Sequence, residues 1–375
     1  IPVQVFSATK SAARISFNQI HKPSGKRIRY AKVVPGVGEV EPADIVTGGH
    51  DVTSTPLAKR AEDLAAAGVV PHDLPRLVAH DLDLASARVR PGYVVGAEDQ
   101  RAAVDRLADD LREFAAREGL ARVVVVNVSS TEAPVDPHPA HLDRAALDHA
   151  WDRGESALPP SSVYAAAAFA AGCAFVDFTP SAGARLPVLE AMAHEAGMPW
   201  GGSDGKTGET LLKSVIAPMF AMRSLDVRSW AGTNLLGGGD GATLASPDAA
   251  RSKIDSKAAG LEALLGHAVD GPLHIDHVAG LGDWKTAWDH VTFAGFLGTR
   301  MTLQFTWQGC DSALAAPLVI DLARLVDLAM RRGESGPLPA LGFFFKDPAG
   351  SDEHALAPQH DLLVRWATEG VDAAR

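Results

Sequence analysis

Residues 200–215, WGGSDGKTGETLLKSV, and residues 234–257, NLLGGGDGATLASPDAARSKIDSK, decide how this chain is read. Gly201, Gly202, Gly205 and Gly208 let the backbone come close to a ligand, and the N–H groups of such a loop form an anion cradle. Ser203, Thr207 and Thr210 add hydroxyl donors, and Lys206 adds charge. The apolar run 211–220 predicts a helix whose amino end directs its dipole at whatever the loop holds; a phosphate suits that place. The second loop, Gly237-Gly238-Gly239-Asp240-Gly241, is too rich in glycine for a helix or an ordinary strand. Lys253 and Lys257 stand four apart, on one face of a helix. Taken alone, they fit a solvated surface helix as readily as an anion site.

Toward the amino end, strand-like and helix-like segments alternate. The run 122–128 (RVVVVNV) is β-branched throughout, as in a buried parallel sheet. It ends in Ser129-Ser130-Thr131-Glu132, a polar loop at the carboxyl end of a strand, where open α/β sheets bind ligands. Residues 101–119 read as a long amphipathic helix, and 161–172 as an alanine-rich helix with a Ser cap and a Gly stop. Residues 173–178 read as the next strand, and Thr179-Pro180-Ser181-Ala182-Gly183 as its turn. Residues 44–47 form a short strand ending in Gly48-Gly49-His50-Asp51. There Asp51 either bonds an adenosine ribose or caps the helix that follows from about Thr55. Residues 82–96 read as a connecting excursion. A dinucleotide-binding domain should open with a strand, a G-x-G-x-x-G turn and a helix. Here the candidate strand 3–6 leads into SATKSAARIS, which has no glycine. His80, His138, His141 and His149 match no metal-ligand spacing and read as surface residues.

Toward the carboxyl end, 272–279, 291–296 and 299–307 read as strands of a second sheet, and 313–330 as a helix. A plain N-cap accounts for Asp311, and a snorkelling lysine at a sheet edge for Lys346 after Phe343-Phe344-Phe345. With 375 residues, 46% hydrophobic and 22% charged, the chain is long enough for two globular domains. A formal charge of −11 argues against a nucleic-acid partner, while a local lysine cluster can still hold an anionic substrate. Cys173 and Cys310, the only cysteines, suggest a reducing compartment without a disulfide framework. Neither a membrane-spanning run nor a secretory signal is evident, so a cytoplasmic protein is expected.

The pieces GGSDGKTGET (201–210), LLKSV (211–215), NLLGGGDGATLASP (234–247) and RSKIDSK (251–257) resemble, in order and spacing, the myo-inositol-1-phosphate synthase family. Weaker matches run from about Thr47 to Lys346. The resemblance implies an α/β protein, with a Rossmann-like NAD-binding domain (1–210 and 315–375) and a mostly β catalytic and oligomerisation domain (211–314). It implies cyclisation of glucose 6-phosphate to an inositol monophosphate, with NAD as internal redox cofactor, in a homotetramer. Lys253, Lys285 and Lys346 would serve the sugar oxygens, helped by Asp204 and Asp240. Thr207, Gly208, Glu209, Thr210 and Lys257 would hold the phosphate. Asp51, Ser129, Ser130, Thr131, Thr179, Ser181, Asp204 and Asp311 would line the cofactor. Members differ on whether a cation assists at the phosphate, and no metal site is assigned here.

The chain departs from the family pattern in several places. The amino-terminal glycine turn is missing, Ser181-Ala182 stands where amides are usual, Glu209 replaces a frequent neutral amide, and Gly238 and Gly239 replace asparagines. Two other readings therefore stand beside the synthase: a paralogue transforming another phosphorylated sugar, and a non-catalytic dinucleotide- or sugar-phosphate-binding protein.

Overall fold

The β-branched run becomes β4 (Leu120–Asn127), whose residues from Val123 onward are buried. A computed structural model of the chain describes residues 3–10 (as backbone), 40, 42–237 and 260–369. In it β4 joins β1 (Val3–Lys10), β2 (Ile45–Asp51), β3 (Val89–Pro91), β5 (Ala174–Asp177), β6 (Pro199–Gly202) and β11 (Gly336–Pro337). These form a seven-stranded sheet in the order β11-β6-β5-β4-β1-β2-β3. Six of the strands fall in the 3-2-1-4-5-6 order of dinucleotide-binding folds. The pairs β2–β3, β4–β5, β5–β6 and β6–β11 are parallel.

β1 departs from that plan, pairing antiparallel with both β2 and β4. The strand expected over 3–6 continues to Lys10, because SATK contains no glycine to turn the chain after Phe6. Its carboxyl end thus lies at the sheet edge opposite the ends of β2, β4 and β5.

Alternate side chains of β4 enter two cores. Val123 and Val125 pack with Leu107, Leu111 and Phe114 of one helix and Phe169 of another. Val124 and Val126 face Leu322, Val326, Leu341 and Leu363. Each fully buried side chain of this kind stabilises the fold by roughly 1.5–3 kcal/mol. The helices are α1 (Leu57–Ala66), α2 (Leu74–Leu77), α3 (Ala79–Ser86), α4 (Gln100–Glu118), α5 (Arg144–Asp152), α6 (Pro160–Ala170) and α7 (Pro187–Glu195). After them come α8 (Glu209–Met222), α9 (Asp311–Arg331) and α10 (Leu356–Thr368). α4 and α6 cover one face of the sheet, α9 and α10 the other.

Three local expectations change. The excursion over 82–96 holds the end of α3 and the edge strand β3. α6 starts at Pro160 without a side-chain cap, and Ser161 Oγ instead donates to Glu132 Oε2 at 2.6 Å. His141 is buried, with Nε2 2.8 Å from the Ala157 carbonyl, because it closes the short 3-10 turn Pro139–His141.

The second sheet comprises β7 (Asp226–Leu236), β8 (Leu273–His277), β9 (Lys285–Ala294) and β10 (Arg300–Gly309), in the order β10-β9-β7-β8. Ala217 and Phe220 of α8 pack on its Val227, Trp230 and Val291. α8 therefore runs from the end of β6, in the first sheet, onto the second. No helix among the described residues is long and apolar enough to cross a membrane.

Candidate functional site

The loop after β6 is laced between two other segments. The Asp204 and Gly205 N–H groups donate to the carbonyls of Thr179 (3.1 Å) and Phe178 (2.9 Å), in the turn after β5. Lys206 N–H donates to Phe344 O at 2.8 Å, and Lys346 N–H to Asp204 O at 2.8 Å. A side chain at Gly205 is excluded by this closeness, since a Cβ there would stand 2.2 Å from the Phe178 ring. Asp204 itself takes a positive φ of 60°. The segment before Lys346 is a 3-10 helix (Pro339–Phe344), not the strand end expected, so Lys346 points into the loop and does not snorkel at a sheet edge.

Four lysines meet around the amino end of α8, and they differ in partners. Lys346 Nζ lies 2.7 Å from Asp204 Oδ1. Burial pulls its pKa down, but Asp204, then Asp311 and Glu209, outweigh that and hold it above the usual lysine value. Lys285, at the start of β9, donates to Asp311 Oδ2 at 3.2 Å. Asp311 is the first residue of α9, whose N-cap is Cys310, so the capping account of Asp311 fails. Lys213 sits between Glu209 (2.5 Å) and Asp289 (3.1 Å), and Asp289 also accepts from Trp230 Nε1 at 2.7 Å. All three charged groups are buried; the two carboxylates overcome the burial of Lys213 and keep its pKa raised. Glu209 is thus paired with Lys213 one helical turn on. Lys206 has a neutral partner, Gln359 Oε1 at 2.6 Å. Burial, and then the Lys346 charge, push its pKa down to about 8, with Glu353 opposing. Lys206, Lys213 and Lys346 line one cleft with Thr210, Ser214 and His354.

A second set gathers at the carboxyl ends of β4 and β5. Asn127 Nδ2 donates to Asp177 Oδ1 (3.0 Å) and Thr179 Oγ1 (3.1 Å), and Asn127 Oδ1 accepts from Ser129 Oγ at 2.7 Å. Thr179 Oγ1 and Ser181 Oγ are 2.8 Å apart. Burial pushes the Asp177 carboxyl up to about 8, and its Oδ2 has no hydrogen-bond partner. Thr131 is buried, while Ser129 and Ser130 are half-buried. At the end of β2, Asp51 Oδ1 accepts from Thr53 N–H at 2.9 Å, and Arg60 lies 3.5 Å from Oδ2. α1 begins only at Leu57 after Pro56, so Asp51 does not cap it. These residues fit a dinucleotide along the carboxyl edge. Asp177 Oδ2 lies against Gly183, where a Cβ would stand 2.2 Å from it, and Asp51 lies at the carboxyl end of β2.

Thr207, Gly208, Glu209 and Thr210 form the start of α8, and Lys285, Lys346, Asp204 and Asp311 converge there. Asp240, Lys253 and Lys257 lie outside the described residues. Sequence reasoning left Asn127, Asp177, Lys213, Asp289 and Gln359 unassigned. A polar last residue in each of two apolar strands, Asn127 and Asp177, was the available signal. Among the described residues no group of His, Cys, Asp or Glu is placed to hold a metal ion.

An open sheet in this strand order, with a hydroxyl-rich loop leading into a helix and with lysine–carboxylate pairs from a second sheet, defines an α/β protein of the dinucleotide-binding class. The sequence profile of the family described as Myo-inositol-1-phosphate synthase matches residues 15–367, and the chain belongs to that family. It is 36% identical over 272 residues to inositol-3-phosphate synthase 1 of Bacteroides thetaiotaomicron, covering 70% of this chain and 63% of that protein. Against the inositol-3-phosphate synthase of Spirodela polyrhiza it is 32% identical over 317 residues, covering 78% of this chain and 61% of the relative. The chain thus spans less than two thirds of the length of these curated relatives. The crystal structure of inositol-3-phosphate synthase from Caenorhabditis elegans shares the fold, with a TM-score of 0.77 at 22% identity, over 96% of this chain and 77% of that one.

Proposed function

We propose that this protein is an NAD-dependent synthase that converts D-glucose 6-phosphate to 1L-myo-inositol 1-phosphate. The observation that carries the reading is the meeting of two lysine–aspartate pairs, Lys346–Asp204 and Lys285–Asp311, beside the amino end of α8. The names of the relatives from Bacteroides and Spirodela support it.

When bound, NAD supplies a reversible hydride acceptor for C5 of the open-chain sugar, so that no net oxidation results. The remaining steps are enolisation toward C6, attack of C6 on the C1 aldehyde, and restoration of the C5 alcohol. Each builds negative charge on oxygen, which positioned ammonium groups in a water-poor site stabilise. Lys346 and Lys285 take that role, and Asp204 and Asp311 keep them oriented. Thr207, Gly208 and Thr210 offer the phosphate N–H and O–H donors at the helix start. Lys206, with a pKa near neutrality, is the amine able to exchange a proton during turnover. Ser129, Thr179, Ser181 and Asp51 line the cofactor edge. This reading divides the chain into 1–210 with 315–375, and 211–314. It also makes the protein cytoplasmic and homotetrameric through the second sheet, where Trp288, Phe296 and Leu297 are exposed.

A second reading, a synthase-like enzyme for another phosphorylated sugar, is favoured by Glu209, which is held by Lys213 at a position where a neutral amide is frequent. One experiment separates them: the protein is incubated with NAD and glucose 6-phosphate and followed by ³¹P NMR. An inositol monophosphate formed only with NAD, without accumulation of NADH, is the expected result. Bound NAD with no product moves the assignment to the other phosphosugar.

A further inference from the structure

β10 alternates, and its half-buried side Leu303, Phe305, Trp307 continues the face that packs on the second core. Leu303 and Phe305 meet that core, whereas Trp307 lies beyond it, against the loop that starts α8. Its indole Nε1 is buried and has no hydrogen-bond partner. So is Asp311 Oδ1, although the other oxygen of that carboxylate holds Lys285. Both orphaned atoms lie beside the same glycine: a Cβ on Gly208 would stand 2.9 Å from Trp307 Nε1 and 3.2 Å from Asp311 Oδ1. Leaving a buried donor or acceptor unmade costs about 1–3 kcal/mol. A phenylalanine would fill the Trp307 position without that cost, so the N–H is retained against a penalty that a ligand would relieve.

The two atoms have opposite polarity, and this narrows what they receive. A phosphate oxygen would accept from Trp307 but meet the Asp311 carboxylate. A carbonyl would leave Asp311 Oδ1 unpaired. A hydroxyl satisfies both, accepting from the indole N–H and donating to the carboxylate. We infer that Trp307 and Asp311 form a hydroxyl subsite over Gly208, and that Trp307 selects the polyol part of a phosphorylated sugar anchored at α8. This rests on the phosphosugar reading above and assigns to Trp307 a role in choosing among such sugars.

The test uses the full chain with NAD present. Wild type and Trp307→Phe are titrated calorimetrically with glucose 6-phosphate, its monodeoxy analogues and inorganic phosphate. The substitution should weaken glucose 6-phosphate about tenfold, as expected for one lost hydrogen bond in a buried site, and shift inorganic phosphate by less than about twofold. One monodeoxy analogue should bind wild type and variant alike, because its missing hydroxyl is the one Trp307 contacts. Gly208→Ala puts a methyl group against the indole N–H and the Asp311 carboxylate, too close for the indole to stay in place, and should erase discrimination against that same analogue; it replaces Trp307→Phe should the latter not fold. Equal weakening of every analogue and of inorganic phosphate would make Trp307 a support for the loop and overturn the subsite. Unchanged glucose 6-phosphate binding in the variant overturns the subsite and leaves the phosphosugar reading standing. A wild type that binds inorganic phosphate but no phosphorylated polyol overturns both.

Discussion

The two sides of the 203–208 loop solve opposite problems. On the side of the first sheet, Asn127, Asp177, Thr179 and Ser181 share hydrogen bonds and keep the region neutral, with burial holding the Asp177 proton to about pH 8. On the side of the second sheet, Lys346, Lys285 and Lys213 each have a carboxylate partner, and charge is retained on Lys346 and Lys213. Burial acts on both sides, so burial alone does not determine ionisation. What differs among the described residues is the number of opposite charges within reach, none for Asp177 and at least one for Lys346 and for Lys213. On the reading proposed above, neutrality suits the neighbourhood of a cofactor ring, and paired charge suits oxygens that become anionic during turnover.

Removing a partner from the charged side should do the most damage. Lys213→Ala leaves Glu209 and Asp289 buried without their cation, and should destabilise the protein by about 3–5 kcal/mol in denaturant unfolding. A loss below about 1 kcal/mol would mean that water replaces the lysine. Next comes Lys285→Ala, expected to cut turnover by roughly 10²-fold or more with NAD affinity nearly intact; equal turnover in wild type and variant would remove Lys285 from the site.

Lys206 lies between the two regimes, buried like Asp177 yet inside the cationic cleft. The groups facing it are Lys346, Asp204, Lys213, Glu353 and His354. Because its folded pKa is about 8, anion binding should weaken about tenfold between pH 7 and pH 9 as the proton leaves. Sulfate, which stays a dianion throughout, is the suitable probe, and Lys206→Arg should flatten the profile. The sign for stability is the reverse. From about 8 to 10.5 the unfolded chain binds the extra proton, so the Lys206 contribution to stability rises with pH over that window. Asp177→Asn should leave the low-pH protein unchanged. The folded carboxyl keeps its proton above its unfolded value of 3.8, so the stability it confers is present at low pH and lost as pH rises toward about 8. The variant should match wild type at pH 4 and exceed it by several kcal/mol at pH 9, at about 1.4 kcal/mol for each unit by which the carboxyl is raised; coincident melting curves at both pH values would show that Asp177 ionises freely.

Much of the layout was legible because periodicity records burial. The valines of β4, the apolar stripe of α4 and the glycine-rich loop into α8 all appear where the sequence implies. The direction of β1 was not legible, since a strand pattern is the same read either way and only pairing fixes its sense. Partner identity was also beyond the sequence. Glu209 looks like a phosphate neighbour until Lys213, one helical turn on, and Asp289, from β9, are seen around each other. Trp307 reads as one more apolar residue of a strand, and only the glycine opposite gives its N–H significance.

The lacing of the 203–208 loop has a consequence for how the site comes into being. Asp204 and Lys346 are 142 residues apart in the chain, and Lys206 and Gln359 are 153 apart. Contacts of such separation form late, after a large loop-closure entropy has been met. A nascent chain released from the ribosome only as far as β10 would already have both sheets in large part, yet neither the cation that holds Asp204 nor the amide that holds Lys206. On the reading proposed above, a sugar phosphate would therefore bind only to chains that extend beyond Gln359, and by stabilising those chains selectively it would favour them over shorter ones.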